Sequence, residues 1–189
     1  MDEELRSLTE RLRNEAGASP AYEQLVATED PNVLADALTA PGQPLWAREL
    51  VAFRLGLAGD RRAFEALVLL LNHRDPQRCA SAAHALARLG DPRTARAAAA
   101  LATNELRVAY ALHPVRLLVE LRAPEAVPAL ITPRGRRLRP HDPYRGVALA
   151  CVEGLGALGD VRARPVLNEA LAHPALAEAA VHALARLPG

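Results

Sequence analysis

Residues 81–102, SAAHALARLGDPRTARAAAALA, contain the pattern that decides the fold. Alanine and leucine, two of the strongest helix formers, fill both ends of the stretch. Gly90 stands between them, where a helix C-cap favours a residue that tolerates positive φ. Asp91 is suited to the N-cap of a following helix, and Pro92 to its first position, where no backbone N–H is required. The stretch therefore predicts a helix, a tight junction and a second helix.

The same junction recurs along the chain. Gly-Asp pairs stand at 59–60, 90–91 and 159–160, and Arg122-Ala123 takes their place within VELRAPEAVPALI (119–131). Junction positions 59, 90, 122 and 159 are thus separated by 31, 32 and 37 residues. A period near 30 that is built from two helices is typical of an α-solenoid.

The composition also favours an all-α fold. The chain of 189 residues has 40 Ala and 32 Leu, against 3% aromatic residues and a single Ile, so strand-forming side chains are scarce. All 23 basic residues are Arg. The net charge is +1, so the whole molecule has no field that favours nucleic acid or a membrane.

We predict an α-solenoid of about five helix pairs, residues 30–189, behind an N-terminal helical cap at residues 1–29. The pairs are expected at residues 31–57, 61–89, 92–121, 124–158 and 161–187. Pro128 and Pro165 lie one turn inside their helices, and Pro114 lies within the second helix of the third pair. Kinks or a break are therefore expected at these three prolines.

The pattern D-P-x-x-A-x-P-x-L, followed by A-A-x-A-L-x-x-L-G-D, is similar to the HEAT-like repeats of the phycobilisome lyase type. It reads here as PEAVPALI (124–131), DVRARPVLNEAL (160–171) and SAAHALARLGDP (81–92). The resemblance implies the solenoid fold, and its motif residues are structural, so it specifies no activity. Family members range from bilin-lyase subunits to scaffolds and bacterial proteins of other kinds. An accessory subunit of a bilin-lyase-like enzyme is therefore one implied function.

The sequence departs from the family at the start of the second helices. The family usually has Val-Arg there, and the Arg pairs with the junction Asp of a neighbouring repeat. Arg48 fits this position, whereas Cys79 and Ala148 stand at the equivalent places. A continuous ladder of Asp/Arg pairs between repeats is therefore not expected.

Second helices line the concave side of such solenoids, where large partners bind. Positions counted back from each junction give the candidate binding residues of this side. They are Trp46, Phe53, Gln77, Ser81, His84, Arg88, His113, Arg116, Glu120, Glu153, His182 and Arg186. This surface predicts a protein partner for a binding or scaffold protein. The alternative is that Trp46 and Phe53 pack under the N-terminal helices and that the polar side chains are ordinary solvated surface.

An Arg-rich insertion in the fourth pair, residues 132–144, makes residues 132–145 the most basic stretch of the chain. This stretch carries five arginines and one aspartate, a net charge of +4, so the rest of the chain has a net charge of −3. The candidate anion-binding residues are Arg134, Arg136, Arg137, Arg139 and Arg145. Arginine binds phosphate or carboxylate with two parallel hydrogen bonds, so nucleic acid or a phosphorylated ligand is the alternative partner. The other interpretation is a solvated loop.

Catalytic, metal and cofactor sites are not expected. The chain has no Gly-rich phosphate loop, G-x-S-x-G elbow or H-E-x-x-H helix. His84 and His113 have no evident third ligand for a metal, and Cys79 and Cys151 lie two repeats apart, too far for a disulfide. The acidic, amphipathic start and the short apolar runs predict a cytoplasmic protein with no membrane partner. The last helix is rich in alanine and has no cap helix after it, whereas the end of a solenoid needs a polar outer face. An end-to-end homodimer is therefore one expectation, and the other is that small alanines need no cover.

Overall fold

A computed structural model describes residues 3–132 and 144–189. Every regular element in these two ranges is a helix. The prediction of an all-α solenoid of HEAT-like helix pairs is therefore confirmed. The chain divides into two compact units, Met1–Thr94 and Ala95–Gly189.

The N-terminal unit is organised around one central helix. Its helices are α1 (Glu3–Ala16), α2 (Pro20–Ala27), α3 (Pro31–Thr39), α4 (Leu45–Leu57), α5 (Phe64–Leu71) and α6 (Pro76–Leu89). Helix α4 packs against α1, α2, α3, α5 and α6. Its buried Leu50 and Phe53 lie in the core with Leu12, Leu67 and Leu86. The two leading helices thus cover apolar surface of α4.

The C-terminal unit also consists of paired helices. Its helices are α7 (Thr94–Ala102), which begins at the unit boundary, α8 (Leu112–Leu121), α9 (Ala126–Leu130), α10 (Arg145–Leu158), α11 (Arg164–Ala170) and α12 (Ala177–Ala185). Helix α10 packs between α8 and α12, with α9 against it. Leu117, Leu118, Leu155 and Leu167 form its core. The second helices α8, α10 and α12 therefore lie side by side.

The junctions have the predicted conformation. Gly59, Gly90 and Gly159 have φ of 75°, 64° and 69°, in the left-handed region that glycine adopts without strain. Arg122 stands at the fourth junction with φ of 49°, and it is the one non-glycine residue with positive φ in residues 3–132 and 144–189. The carboxylate of Asp91 accepts a hydrogen bond from the backbone N–H of Arg93, as the N-cap prediction requires.

The prolines have different effects from those predicted. Kinks were expected at Pro128 and Pro165, and that prediction is wrong. Helix α9 begins two residues before Pro128 and α11 begins one residue before Pro165, so both prolines lie in a first turn, where they interrupt no helical hydrogen bond. A 3₁₀ turn, Val161–Ala163, separates the junction from α11 and shifts the start of that helix. Pro114 likewise lies two residues after the start of α8, which continues through it, and a separate 3₁₀ helix, Glu105–Tyr110, precedes α8.

Glycine allows two second helices of the C-terminal unit to approach closely. A Cβ built on Gly156 of α10 would lie 2.6 Å from the Cα of Ala183 in α12. That neighbour is backbone, which cannot move aside as a flexible side chain can. Small residues at this contact therefore determine how closely α10 and α12 pack.

Candidate binding groove

A groove of about 420 Å³ lies on the second helices of the C-terminal unit. Four charged or titratable residues line it: Arg116 of α8, Glu153 of α10, and His182 and Arg186 of α12. All four side chains are exposed. The rest of the lining is small and apolar: Val119, Ala150, Gly154, Ala157, Ala179 and Ala183. The groove thus combines charged side chains with a floor that a ligand can approach closely.

Three of the charged residues form a row because they occupy one repeat position. Arg116, Glu153 and His182 each lie six residues before the end of their repeat, counted from Arg122, Gly159 and the equivalent position 188. Helix packing places successive second helices about 8–10 Å apart. Arg186 lies four residues after His182, one helical turn along α12. The order of charge across the row is basic, acidic and then His182 with Arg186.

The charged groups of the groove are available to a ligand. Among the residues that the structure describes, none of the four has a hydrogen-bond or ion-pair partner for its side chain. Apart from His182, two arginines and one glutamate give the groove a formal charge of +1. A floor of small residues follows from close packing, since a Cβ on Gly154 would overlap the side chain of Val119.

The two other predicted residues of this unit lie outside the groove lining. His113 is half-buried on α8. Burial lowers the pKa of its imidazole, and the neighbouring Arg116 lowers it further, so the neutral form is favoured. Glu120 is exposed at the end of α8.

In the N-terminal unit the equivalent row consists of Phe53, which belongs to the core, and the half-buried His84. Phe53 is 1% exposed and its ring stacks on His84, with centroids 5.9 Å apart. Trp46 is half-buried against Tyr22 of α2, at 5.9 Å. Phe53 is therefore not part of an accessible surface.

The polar residues predicted on α6 have mixed environments. Gln77 and Arg88 are exposed. Ser81 is half-buried, and its hydroxyl donates to the backbone carbonyl of Gln77 at 2.9 Å. No pocket with these side chains in its lining occurs among the pockets described for the N-terminal unit.

The candidate anion-binding loop falls mostly outside the described residues. Arg134, Arg136, Arg137 and Arg139 lie in the range 133–143, which the structure does not describe. Arg145 is described, and it is the exposed first residue of α10. Arg145 therefore lies at the edge of the undescribed range and at the start of α10.

Sequence reasoning missed a buried charge cluster in the N-terminal unit, here called the Glu49 cluster. Arg11 and Glu15 of α1, Glu49 of α4 and Arg78 of α6 form it. The carboxylate of Glu49 accepts hydrogen bonds from both guanidinium groups, and its side chain is 1% exposed. The charges balance as two basic and two acidic side chains. The signal was Glu49 beside Leu50, a charge inside an apolar helix face.

A second missed feature is an Asp-x-Arg unit at three junctions. At the second, the Nε and Nη2 atoms of Arg93 donate to the two carboxylate oxygens of Asp91 at 3.0 and 2.8 Å. The same bidentate pairing joins Arg62 to Asp60 and Arg162 to Asp160. These hydrogen bonds lower the pKa of each aspartate, that of Asp91 to about 2. The pairing is within one junction, not between repeats.

Potential metal ligands are dispersed over residues 3–132 and 144–189. In that part of the chain no group of three or more His, Cys, Asp or Glu side chains could hold a metal ion. No helix there has the length and apolar character needed to cross a membrane. Cys79 lies in the N-terminal unit and Cys151 in the C-terminal one.

Together, the paired helices, the Gly-Asp junctions and the groove on the second helices define an all-α, HEAT-like repeat protein. Residues 147–173, which contain most of α10 and all of α11, match the family model of the PBS lyase HEAT-like repeat. The family resemblance read from the junction motifs is therefore confirmed. No curated protein matches the chain.

Proposed function

We propose that this repeat protein is a non-catalytic binding or scaffold protein that holds a segment of a partner protein in the groove of α8, α10 and α12. The observation that carries this proposal is the set of exposed and unpaired side chains above an apolar floor. Charged groups with no internal partner can pair with a ligand without breaking existing bonds. We also propose a cytoplasmic location, since the longest apolar run of the sequence, AFEALVLLL, contains a glutamate and is too short to span a bilayer.

The mixture of charges favours polypeptide over nucleic acid as the occupant. Nucleic-acid surfaces concentrate Lys and Arg because every nucleotide carries a negative phosphate. Glu153 lies in the middle of the groove row and would repel a phosphate chain there. A polypeptide can offer acidic, basic and apolar side chains in turn, as the lining requires.

A random peptide library displayed on phage and selected on the full chain tests this function. Recovered peptides are retested against Arg116→Glu/Arg186→Glu and against the control Arg74→Glu/Arg96→Glu, which makes the same charge change at exposed sites outside the groove. We expect the groove variant to lose at least tenfold in affinity and the control to bind as the wild type does. Recovery of no peptides, or equal binding by both variants, would overturn the proposal.

Nucleic acid or a phosphorylated ligand, bound by the Arg-rich loop, is the second candidate function. The observation in its favour is the concentration of four arginines in residues 134–139, with the exposed Arg145 beyond them. Its test is the binding of a labelled duplex and a labelled single strand at about 50 and 200 mM salt. Contacts to four phosphates predict a loss of roughly a hundredfold over that range. The variant with Arg134, Arg136, Arg137 and Arg139 changed to Ala should lack most of this salt dependence.

A third candidate is an accessory subunit of a bilin-lyase-like enzyme, supported by the family match alone. If the chain acts with such an enzyme, it should bind a bilin or the enzyme that transfers it. Titration of the full chain with a free bilin, followed by visible absorbance, tests the first possibility. A shift of the bilin absorbance that is complete at one bilin per chain would favour this candidate over the groove proposal.

A further inference from the structure

We infer that the groove recognises a polyproline II segment with an acidic, a basic and an acidic residue at every third position. The inference rests on the proposed function and names the partner chemistry for the same groove. Its basis is the row formed by Arg116, Glu153 and His182, with Arg186 beside the last of them. The charge order of this row and its spacing both restrict what can bind.

The spacing of the row matches the polyproline II helix. Successive second helices pack about 8–10 Å apart, so neighbouring charges of the row have a similar separation. A polyproline II helix has 3 residues per turn and a rise of about 3.1 Å, so every third side chain repeats on one face after about 9 Å. Residues i, i+3 and i+6 of such a segment therefore meet α8, α10 and α12 in turn.

The charge order sets the sequence of the ligand. Arg116 pairs with an acidic residue at one end of the segment, and Glu153 with a basic residue in the middle. At the other end, His182 and Arg186 lie one turn apart on α12 and present donors to a second acidic residue. Reversal of the ligand's charges would place like charges together at all three positions, which is strongly unfavourable.

Other backbone conformations fit the row less well. In a β-strand, residues i and i+3 point to opposite faces, so they cannot meet the same surface. In an α-helix, residues i and i+4 are only about 5–6 Å apart, residues i and i+7 are about 10.5 Å apart, beyond the spacing of the row, and the helix is about 10–12 Å wide. The small floor residues Ala150, Ala157, Ala179 and Ala183 suit the flat proline rings of a thinner segment. The stiffness of polyproline II also reduces the entropy lost on binding.

Labelled synthetic peptides test the inference by fluorescence anisotropy with the full chain at low salt. The peptide EPPRPPE carries the inferred pattern, and RPPEPPR has the same spacing with inverted charges. We expect EPPRPPE to bind at least tenfold more tightly. In the triple variant Arg116→Glu/Glu153→Arg/His182→Glu the preference should reverse, whereas Glu178→Arg, exposed on α12 outside the groove, should keep it.

The outcomes separate this inference from the proposed function. Equal affinity for the two peptides, binding of neither, or an unchanged preference in the folded triple variant would overturn the inferred pattern. The random library makes no assumption about sequence, so its peptides can still bind the groove when EPPRPPE does not. If the library also yields no groove-dependent peptide, the proposed function fails as well. Thermal unfolding of each variant verifies that it is folded.

Discussion

Arg78 of α6 and Glu49 of α4 form a buried ion pair, with side chains that are 8% and 1% exposed. Arg11 of α1 donates to the same carboxylate, so one glutamate joins three helices of the N-terminal unit. Removing one member of a buried pair leaves an uncompensated charge, which costs more than the pair itself contributes. The Glu49 cluster therefore joins α1 to α4 and α6 through buried charge, with Glu15 of α1 as a second carboxylate on Arg78.

Glu49→Gln should lower the free energy of unfolding by about 3 kcal/mol, because Arg78 and Arg11 lose their most buried charged partner and keep the more exposed Glu15, while the side-chain shape is kept. Urea unfolding followed by circular dichroism measures the change. Glu23→Gln is the matched control, since Glu23 is 66% exposed and pairs with Arg13 at 3.6 Å. A change below about 0.5 kcal/mol is expected there. Similar losses in both variants would contradict a special role for the buried carboxylate.

Asp91→Asn tests the charge of the second junction while an oxygen that can cap the helix is kept. The hydrogen bonds from Arg93 lower the pKa of Asp91 from 3.8 to about 2 in the folded chain. A lowered folded pKa stabilises the fold above pH 4, and this contribution is lost as the pH falls through about 2. The wild type should therefore be more stable than the variant at pH 7, with a difference that narrows between pH 4 and 2. A difference that stays constant over this range would exclude the linkage.

Gly156→Ala should destabilise the C-terminal unit by about 1–3 kcal/mol, because the added methyl meets the backbone of Ala183. The same substitution at Gly146, in the first turn of the same helix, has open space around the new Cβ. It should stabilise the protein by about 0.4–1 kcal/mol through the lower entropy of the unfolded chain. Differential scanning calorimetry should thus give opposite shifts in Tm. Shifts of the same sign would argue against close contact of α10 and α12.

Arg122→Gly should stabilise the fourth junction by roughly 0.5–1 kcal/mol, since a side chain at positive φ is strained and glycine is not. Gly159→Ala makes the reverse change at the next junction, where φ is 69°. A loss of about 1 kcal/mol is expected there. Urea midpoints of both variants give the comparison. Destabilisation by Arg122→Gly would mean that the arginine side chain makes a stabilising contact that outweighs its strain.

The sequence was sufficient to predict the helix pairs because their junction chemistry is local. A glycine at positive φ and an aspartate that caps the next helix are both recognisable within a few residues, as at Gly90 and Asp91. Even the exception at Arg122 could be placed from the repeat spacing. The positions of Arg116, Glu153 and His182 in one row followed from the same count.

Features that depend on contacts between distant helices could not be predicted in this way. Phe53 has the same repeat position as Arg116, and the packing of neighbouring helices on α4 makes it a core residue. Glu49 and Arg78 are 29 residues apart, so nothing local indicates that they pair. The shift of α11 by a 3₁₀ turn was also missed, because the capping aspartate suits either kind of helix start.

Photo-cross-linking tests the central claim, a polypeptide site on α8, α10 and α12, most directly. A peptide recovered from the random library is given a photoreactive side chain, cross-linked to the full chain, and its attachment sites are mapped by mass spectrometry. We predict attachment within Leu112–Leu121, Arg145–Leu158 and Ala177–Ala185, and loss of it in Arg116→Glu/Arg186→Glu. Attachment on α6 or elsewhere in the N-terminal unit, unaffected by these substitutions, would contradict the claim.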